Sequence, residues 1–460
     1  MKMRLAEIAK ALQVEPKEEW EEIVVTSVSF DTRSLEQGAL FIPLVAEHDG
    51  HDYIENAINS GAVATLWQEG HDESIVSIPK LVVPDSLQAL QKIAHYYLQK
   101  INPKVVAITG SNGKTTTKDM VAAILGRRFN VQKTHDNFNN FIGVPMTVLS
   151  MEPNTEALVI EMGMDHFGEL DKLSRLVEPD IAVITMIGEA HIEFFGTRDK
   201  IADAKMEITH GLKEDGVLIY NGDEPLLVQR TKEIGQETTT FGTSDNVNLR
   251  ALNVVSNDKE TSFRVAQWEN ENFVIPMIGS YNATNALAAL SVGEFFRIPV
   301  EEMKKALRSF DLTKNRTQWL QGAKGERILS DVYNSNPSAA KLVIIAFSNS
   351  ATDGKRIAVI GDMLQLGDNS KEMHENLAEV IDPDKIDSVY LCGEEVGYLA
   401  TKLASKFDEE HLRLYKATDK QNLVAALQSK ISAGDSVLLK GSHGVHLENV
   451  LEKLMLKNSF

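Results

Sequence analysis

One cysteine, Cys392, occurs in 460 residues, so no internal disulfide can form and a reducing compartment is the expected setting. Positive charge is scarce as well: 47 Lys and Arg stand against 66 Asp and Glu, for a net charge of -19. That balance argues against a nucleic-acid backbone as the main partner. It leaves room for an anionic small substrate, because a local Lys/Arg site can sit in an acidic protein. Long apolar runs are missing too, and no stretch reads as a membrane span. In the opening MKMRLAEIAKAL, Glu7 and Lys10 interrupt any signal-type core, while Leu5, Ile8, Ala9 and Leu12 share one side of a short helix. There is no low-complexity segment and no repeat of fixed period. What remains is 43% apolar and 25% charged, the composition of an ordinary globular protein, expected in the cytoplasm without stable membrane insertion. The length suits two or three domains.

The pattern of apolar residues divides the chain. The first hundred residues mix short strands (23–30, 40–44, 62–66 and 80–83) with helical patterns at 52–60 and 86–99. KINPK, residues 100–104, reads as a linker. Strands at 105–109, 157–161, 181–186 and 217–220 then alternate with helical segments, as in a buried parallel βαβ sheet. From about 247 to 278 the pattern alternates residue by residue around Asn257-Asp258, which predicts antiparallel hairpins, followed by a helix over 282–296. DLTKNR, residues 311–316, reads as a second linker. Strands at 356–360, 388–391 and 436–440 return the last third to α/β. The expected domains are 1–100, 101–312 and 313–460.

The densest signal is VVAITGSNGKTTTKDM, residues 105–120. An apolar strand enters a turn in which Gly110 and Gly113 let the backbone N–H groups face one point. The turn delivers Lys114 and Thr115 to the start of a helix, whose N-terminus adds partial positive charge. Lys114 can neutralise phosphate oxygens and the Thr115 hydroxyl can bind Mg²⁺. The spacing departs from the general P-loop, because Ala107 stands where that motif places its first Gly. The alternative is a plain Gly-Asn turn joining strand to helix.

Ligands of open α/β sheets bind beyond the carboxyl ends of the strands. Glu161 ends the strand ALVIE, and His191 follows IAVITM by a few residues. A carboxylate and an imidazole beside a triphosphate are credible Mg²⁺ ligands. Each also has a plainer reading, as a strand-end carboxylate or a structural histidine. Lys205 shares a helix face with Ile201 and Ile208. Either its stem packs while its head reaches water, or it is chemically modified. Carbamylation would turn this cation into a carboxylate-like metal ligand.

These segments meet others in a fixed order. FDTRSLEQGALFIPL and DGHDYIENAINSGA come first, then ITGSNGKTTTKDM, THDNFNNFIGVP, EMG, GEAHIEFFG and IADAKMEI. GSYNATNALAAL, NRTQW, SDVYNSNPSA, GDMLQLG and VLLKGS follow. In this order and spacing the chain resembles the Mur ligase family of peptidoglycan synthesis over nearly its whole length. The resemblance implies three α/β domains: an N-terminal UDP-sugar domain, a central ATPase domain with a mostly parallel sheet of P-loop type, and a Rossmann-like C-terminal domain. It implies ATP-dependent ligation of D-alanyl-D-alanine to UDP-N-acetylmuramoyl-tripeptide through an acyl phosphate, by a monomer. Carried over residue by residue, it gives Gly110, Ser111, Asn112, Gly113, Lys114, Thr115 and Thr116 the ATP phosphates. Thr115 and Glu161 would serve one Mg²⁺, and His191 and carbamylated Lys205 a second. Asn282 and Asn285 would lie near the adenine, with Arg316 and Asp331 reaching the nucleotide from beyond the second linker. Asn139 and Asn140 would face the reacting centre. Thr32, Arg33, Asp49, Gly50 and His51 would hold the UDP-sugar, and Asn334 and Asn336 the dipeptide. Tyr281, Met186, His443 and Ala46 depart from residues common at those positions in the family.

Two neighbouring reactions share this ligation logic. The ligase that adds the preceding amino acid typically carries an Arg after the Asn-Pro pair, where this chain has Ser338. Folylpolyglutamate synthetase lacks a separate UDP-sugar domain like residues 1–100. A third reading, a non-catalytic nucleotide-binding protein, would keep the motifs as a fold alone.

Overall fold

The amphipathic face at the start of the chain forms a helix over Leu5–Ala11, with Leu5, Ile8 and Ala9 buried. The computed structural model describes every residue except Leu312, Lys314, Asn315 and residues 456–460, together with the side chains of Glu269 and Asn270. The second expected linker, 311–316, therefore falls partly outside the described residues. Two units emerge. The first comprises 1–109, 125–183 and 207–218; the second comprises 110–124, 184–206 and 219–460.

In the first unit, four parallel strands stand in the order Ser27–Ser29, Ala39–Phe41, Ala64–Gln68 and Lys80–Val83. The expected strand over 23–30 is two short ones: Val24–Val25 pairs with Met3–Arg4, and only Ser27–Ser29 joins the four-stranded sheet. The helix expected at 86–99 runs as Ser86–Ile101, capped by the Asp85 carboxylate at its start and by left-handed Asn102 at its end. The first linker therefore shrinks to Asn102 and Pro103, before the strand Lys104–Thr109 begins. That strand pairs in parallel with Ala157–Glu161, which pairs in parallel with Val131–Lys133. Ala157 to Glu161 are all buried, as a strand covered on both faces requires.

The second unit carries the expected hairpins. Leu249–Ser256, Thr261–Val265 and Trp268–Ile275 run antiparallel. The Asn257 side chain accepts from the N–H groups of Lys259 and Glu260, closing the turn expected there. The last third is a six-stranded sheet in the order Gln318–Gln321, Arg327–Asp331, Ser436–Lys440, Arg356–Gly361, Ser388–Cys392 and Leu412–Tyr415. All neighbours are parallel except the first pair. Ile328, Val359, Leu423, Leu427 and Leu439 lie in one apolar cluster against this sheet. Among the described residues, no helix is long and apolar enough to cross a membrane.

Candidate active site

The Gly-rich turn behaves as its sequence requires. Gly110 sits at φ 150° and Gly113 at φ 82°. A side chain at Gly110 would collide with the Thr185 hydroxyl, and one at Gly113 with the Asn285 amide, so both positions need glycine for space as well as for backbone freedom. The Ser111 N–H donates to the Met186 carbonyl at 2.9 Å, and the Thr185 hydroxyl donates to the Asn112 carbonyl at 2.5 Å. The turn is thus tied to the segment following the strand Ile181–Ile184. Lys114 opens the helix Lys114–Leu125 and donates through Nζ to the Gly110 carbonyl at 2.8 Å, which holds its ammonium over the loop. Thr115 and Thr116 lie in the first turn of that helix and are buried.

Beside the turn lies a cleft of about 260 Å³. Asn112, Gly113, Thr116, Asn282, Asn285, Arg316, Asp331 and Asn334 all line it, so eight positions picked out separately in the sequence meet on one cavity. Asn282 donates to the Ile278 carbonyl at 2.8 Å and accepts from Asn285 at 2.9 Å, which orients both amides. The Arg316 guanidinium lies 3.9 Å from the Tyr333 ring centroid, and His443 stacks on that ring at 5.9 Å. His443 therefore reaches this region through a ring contact, where an Arg would have offered a fork of donors. Met186 takes part through sulfur, 3.5 Å from the Asn112 amide.

Three residues at or behind the cleft wall carried no expectation of a role. Tyr281 lines the cleft and its hydroxyl lies 3.3 Å from the Thr317 hydroxyl; burial pushes its pKa well above the usual tyrosine range. Thr317 donates through its N–H to Asp331 Oδ1 at 3.2 Å. Lys440, completely buried, places Nζ 3.1 Å from Asp331 Oδ2. Its apolar strand VLLK gave no sign that the lysine points inward against a carboxylate 109 residues away.

Asn336 is occupied within the chain. Its Oδ1 caps the helix Pro337–Ser348 by accepting from Ala339, and its amide forms a reciprocal pair with Asn112 at 2.7 and 3.1 Å. Next to it, Glu189 accepts from the Ser338 N–H at 3.2 Å and from its hydroxyl at 2.7 Å. A second cavity, of about 420 Å³, is lined by Glu189, Ser338 and Lys341 among others. His191 takes a left-handed φ of 62° at the start of the short helix Ile192–Phe195, a conformation that costs roughly 1–3 kcal/mol in a non-glycine residue. Lys205, on the helix Arg198–Met206, is 2% exposed; it does not extend its head into water.

In the first unit, Glu161 is buried at the end of its strand. Oε1 accepts from the Asn139 amide at 2.9 Å, whereas Oε2 is buried with no hydrogen-bond partner among the described residues. A buried carboxylate oxygen left unpartnered is costly, and a hard divalent cation is the ligand such an oxygen fits. Asn140 accepts from the N–H groups of Ile142 and Gly143 and so starts the helix Gly143–Leu149. Arg33 is held by Asp31 through a two-point contact at 2.9 and 2.7 Å but is otherwise exposed, and its hydrogen bond brings the Asp31 pKa down to about 2. Thr32 accepts through its carbonyl from the Ser60 hydroxyl.

The Asp49-Gly50-His51 turn contains a small ionic cluster. Asp49 Oδ1 takes the His51 N–H at 3.0 Å and His51 Nδ1 at 2.6 Å, while Oδ2 takes His71 Nε2 at 2.9 Å. His51 Nε2 accepts from the Gln68 N–H at 3.2 Å, so this ring is neutral with its proton on Nδ1. The His71 ring stacks on His51 at 3.7 Å, and its Nδ1 faces the Gln68 carbonyl at 3.1 Å. Both His71 nitrogens meet acceptors, an arrangement that favours the doubly protonated, cationic ring. The pKa directions agree. The Asp49 hydrogen bond raises His71, and burial lowers His51. Burial pushes Asp49 up, but the bonds from His51 and His71 outweigh it and bring it to about 2.

Comparison with known proteins covers nearly the whole chain. The Mur ligase family, catalytic domain, matches residues 24–98; the Mur ligase middle domain matches 108–293; and the Mur ligase, glutamate ligase domain, matches 315–443. The UDP-N-acetylmuramoyl-tripeptide--D-alanyl-D-alanine ligase of Bacillus subtilis is 42% identical over 98% of this chain and 97% of its own length. The crystal structure of MurF from Acinetobacter baumannii superimposes with a TM-score of 0.87 at 26% identity, over 99% of both chains. MurF ligase from Thermotoga maritima in complex with ADP gives a TM-score of 0.79 at 29% identity, over 93% of this chain and 97% of that one.

Proposed function

From the premise that the chain belongs to the Mur ligase family, we infer that it joins D-alanyl-D-alanine to UDP-N-acetylmuramoyl-tripeptide at the expense of ATP, as the similar ligases are named for doing. The observation that carries the reading is the single cleft in which the phosphate turn, the Asn282–Asn285 pair and the Arg316–Asp331 wall converge. The chemistry requires a terminal carboxylate to take the γ-phosphoryl group of ATP, releasing ADP. The dipeptide amine then attacks the acyl phosphate, and phosphate leaves from the tetrahedral intermediate. Negative charge gathers at each step, so positioning and fixed cations carry most of the work.

In this reading the N–H groups of residues 110–116 and the Lys114 ammonium hold the ATP phosphates. Asn282 and Asn285 orient the adenine end, and Arg316 and Asp331 close the nucleotide from the other wall. Glu161, through Oε2, and Thr115 would serve one magnesium ion, and His191 and Lys205, once carbamylated, a second. Such ions would supply charge neutralisation at phosphate oxygens. Asn139 steadies the Glu161 carboxylate. We assign Thr32, Arg33 and the 49–51 turn to the UDP-sugar, and the 334–338 segment, whose Pro337 and Ser338 line the second cavity, to the dipeptide. We read the domains as 1–100, 101–312 and 313–460, and the enzyme as a cytoplasmic monomer.

The test is phosphate release from ATP and Mg²⁺, with the UDP-tripeptide and D-alanyl-D-alanine added singly and together. Release only with both, with a UDP-pentapeptide product, is the expected result. Release with a UDP-dipeptide and a diamino acid instead would move the reaction one step earlier. No release in any mixture would sink the ligation reading.

A further inference from the structure

Lys440 ends the strand Ser436–Lys440, in the middle of its sheet, with Asp331 as its register partner on one side and Ile360 on the other. An ammonium at such a place loses water on every side. Burial lowers its pKa while Asp331 opposes that shift. Its contacts are all on one short stretch: Asp331 Oδ2 at 3.1 Å, the Asp331 carbonyl at 3.5 Å and the Asn334 carbonyl. Asp331 in turn receives the Thr317 N–H on its other carboxylate oxygen. Thr317, Asp331 and Asn334 are all wall residues of the cleft; Lys440 is not. One cation behind the wall thus ties together three groups in front of it.

We propose that Lys440 is a positioning residue for nucleotide binding: from behind the cleft it fixes the Asp331 carboxylate and the Asn334 carbonyl, and through them the face that ATP meets. The inference rests on reading this cleft as the nucleotide site. A buried carboxylate is aimed most firmly by a partner that both donates a hydrogen bond and carries the opposite charge. Lys440 supplies both at a point where no solvent could replace it, and the three donor hydrogens of an ammonium match the three acceptors present.

The experiment measures ATP affinity by calorimetry in the presence of Mg²⁺, alongside ligase KM values and thermal melting, on the full chain. Lys440→Met is expected to weaken ATP at least about tenfold, the scale of a lost charged hydrogen bond, with Lys440→Arg falling between it and the wild type. The KM for the UDP-tripeptide should stay within about twofold, since that contact is independent of the wall. If Lys440 acts through the wall, Lys440→Met added to Asp331→Asn should weaken ATP by no more than about threefold beyond Asp331→Asn alone. This double variant also removes the unpaired buried carboxylate, so it reports even where Lys440→Met fails to fold. Equal losses for every substrate, or effects of the two substitutions that multiply in full, would overturn the proposal. The binding readout needs no turnover. A wild type that binds ATP without ligating would end the ligation reading and leave this test standing, and a wild type that does not bind ATP would end both.

Discussion

Asp49 and Asp331 face the same problem in different ways. Each is an aspartate gripped on both carboxylate oxygens, by one backbone N–H and by cationic or imidazole side chains. Asp331 has a fully buried lysine; Asp49 has two stacked histidines, one buried and one a quarter exposed. The lysine pair is shut away from solvent, which cannot relax it. The histidine cluster is built from groups whose charge changes in the ordinary working range of pH. The first suits a wall that must be the same in every cycle. The second makes the 49–51 turn responsive to protons.

The sharpest way to break the contrast is to remove one partner from the buried pair. Lys440→Met should cost about 3–5 kcal/mol of unfolding free energy in a denaturant titration, because it strands a buried carboxylate, and Asp331→Asn in the same chain should return most of it. A loss under about 1 kcal/mol would place Lys440 with ordinary surface ions. Next in size is Asp49→Ala, expected to cost on the order of 1 kcal/mol through the lost cap on the 49–51 turn, again by denaturant titration. The smallest effect is the pH response. His71 has its folded pKa raised, so its contribution is complete below the unfolded value and fades as pH rises through the folded one. Asp49, lowered to about 2, contributes above its ordinary 3.8 and loses that as pH falls toward 2. His51, lowered by burial, works against stability where it is forced to charge in acid. Ring NMR titration should therefore find His71 deprotonating at higher pH than His51. His71→Gln should flatten the stability profile on the alkaline side by less than about 1 kcal/mol, as its partner is partly exposed. The reverse order of titration would undo the assignment of His71 as the cation.

What could be read in advance was what local pattern controls. The strand, glycine turn and helix around Gly110 to Thr115 needed only φ freedom and apolar spacing, and Asn257 marked its own turn. Glu161 was visible because a carboxylate ending an apolar strand is conspicuous. Segments whose structure depends on distant partners were less legible. Ile23–Phe30 looked like one strand but divides at Thr26 because its two halves pair with different strands. Gln318–Gln321 and Leu412–Tyr415 are sheet edges with polar or exposed faces, so they lack the apolar run that revealed their neighbours. Arg327–Asp331 is buried but ends in the aspartate that Lys440 answers, a pairing with no local trace. His71 lay in a polar stretch with no periodicity, and only the folded turn shows what its ring meets.

The reciprocal pair between Asn112 and Asn336 has a consequence for how the protein is made. The two amides are 224 residues apart in the chain. At roughly 5–20 residues per second, a ribosome needs on the order of 10–45 s to go from one to the other. For that interval the phosphate turn exists without the segment that will cap it, and the unit to which it belongs cannot close. A nascent chain thus spends on the order of 10–45 s with the Asn112 amide lacking its Asn336 partner, a stage at which a chaperone or a protease would find this side of the turn more accessible.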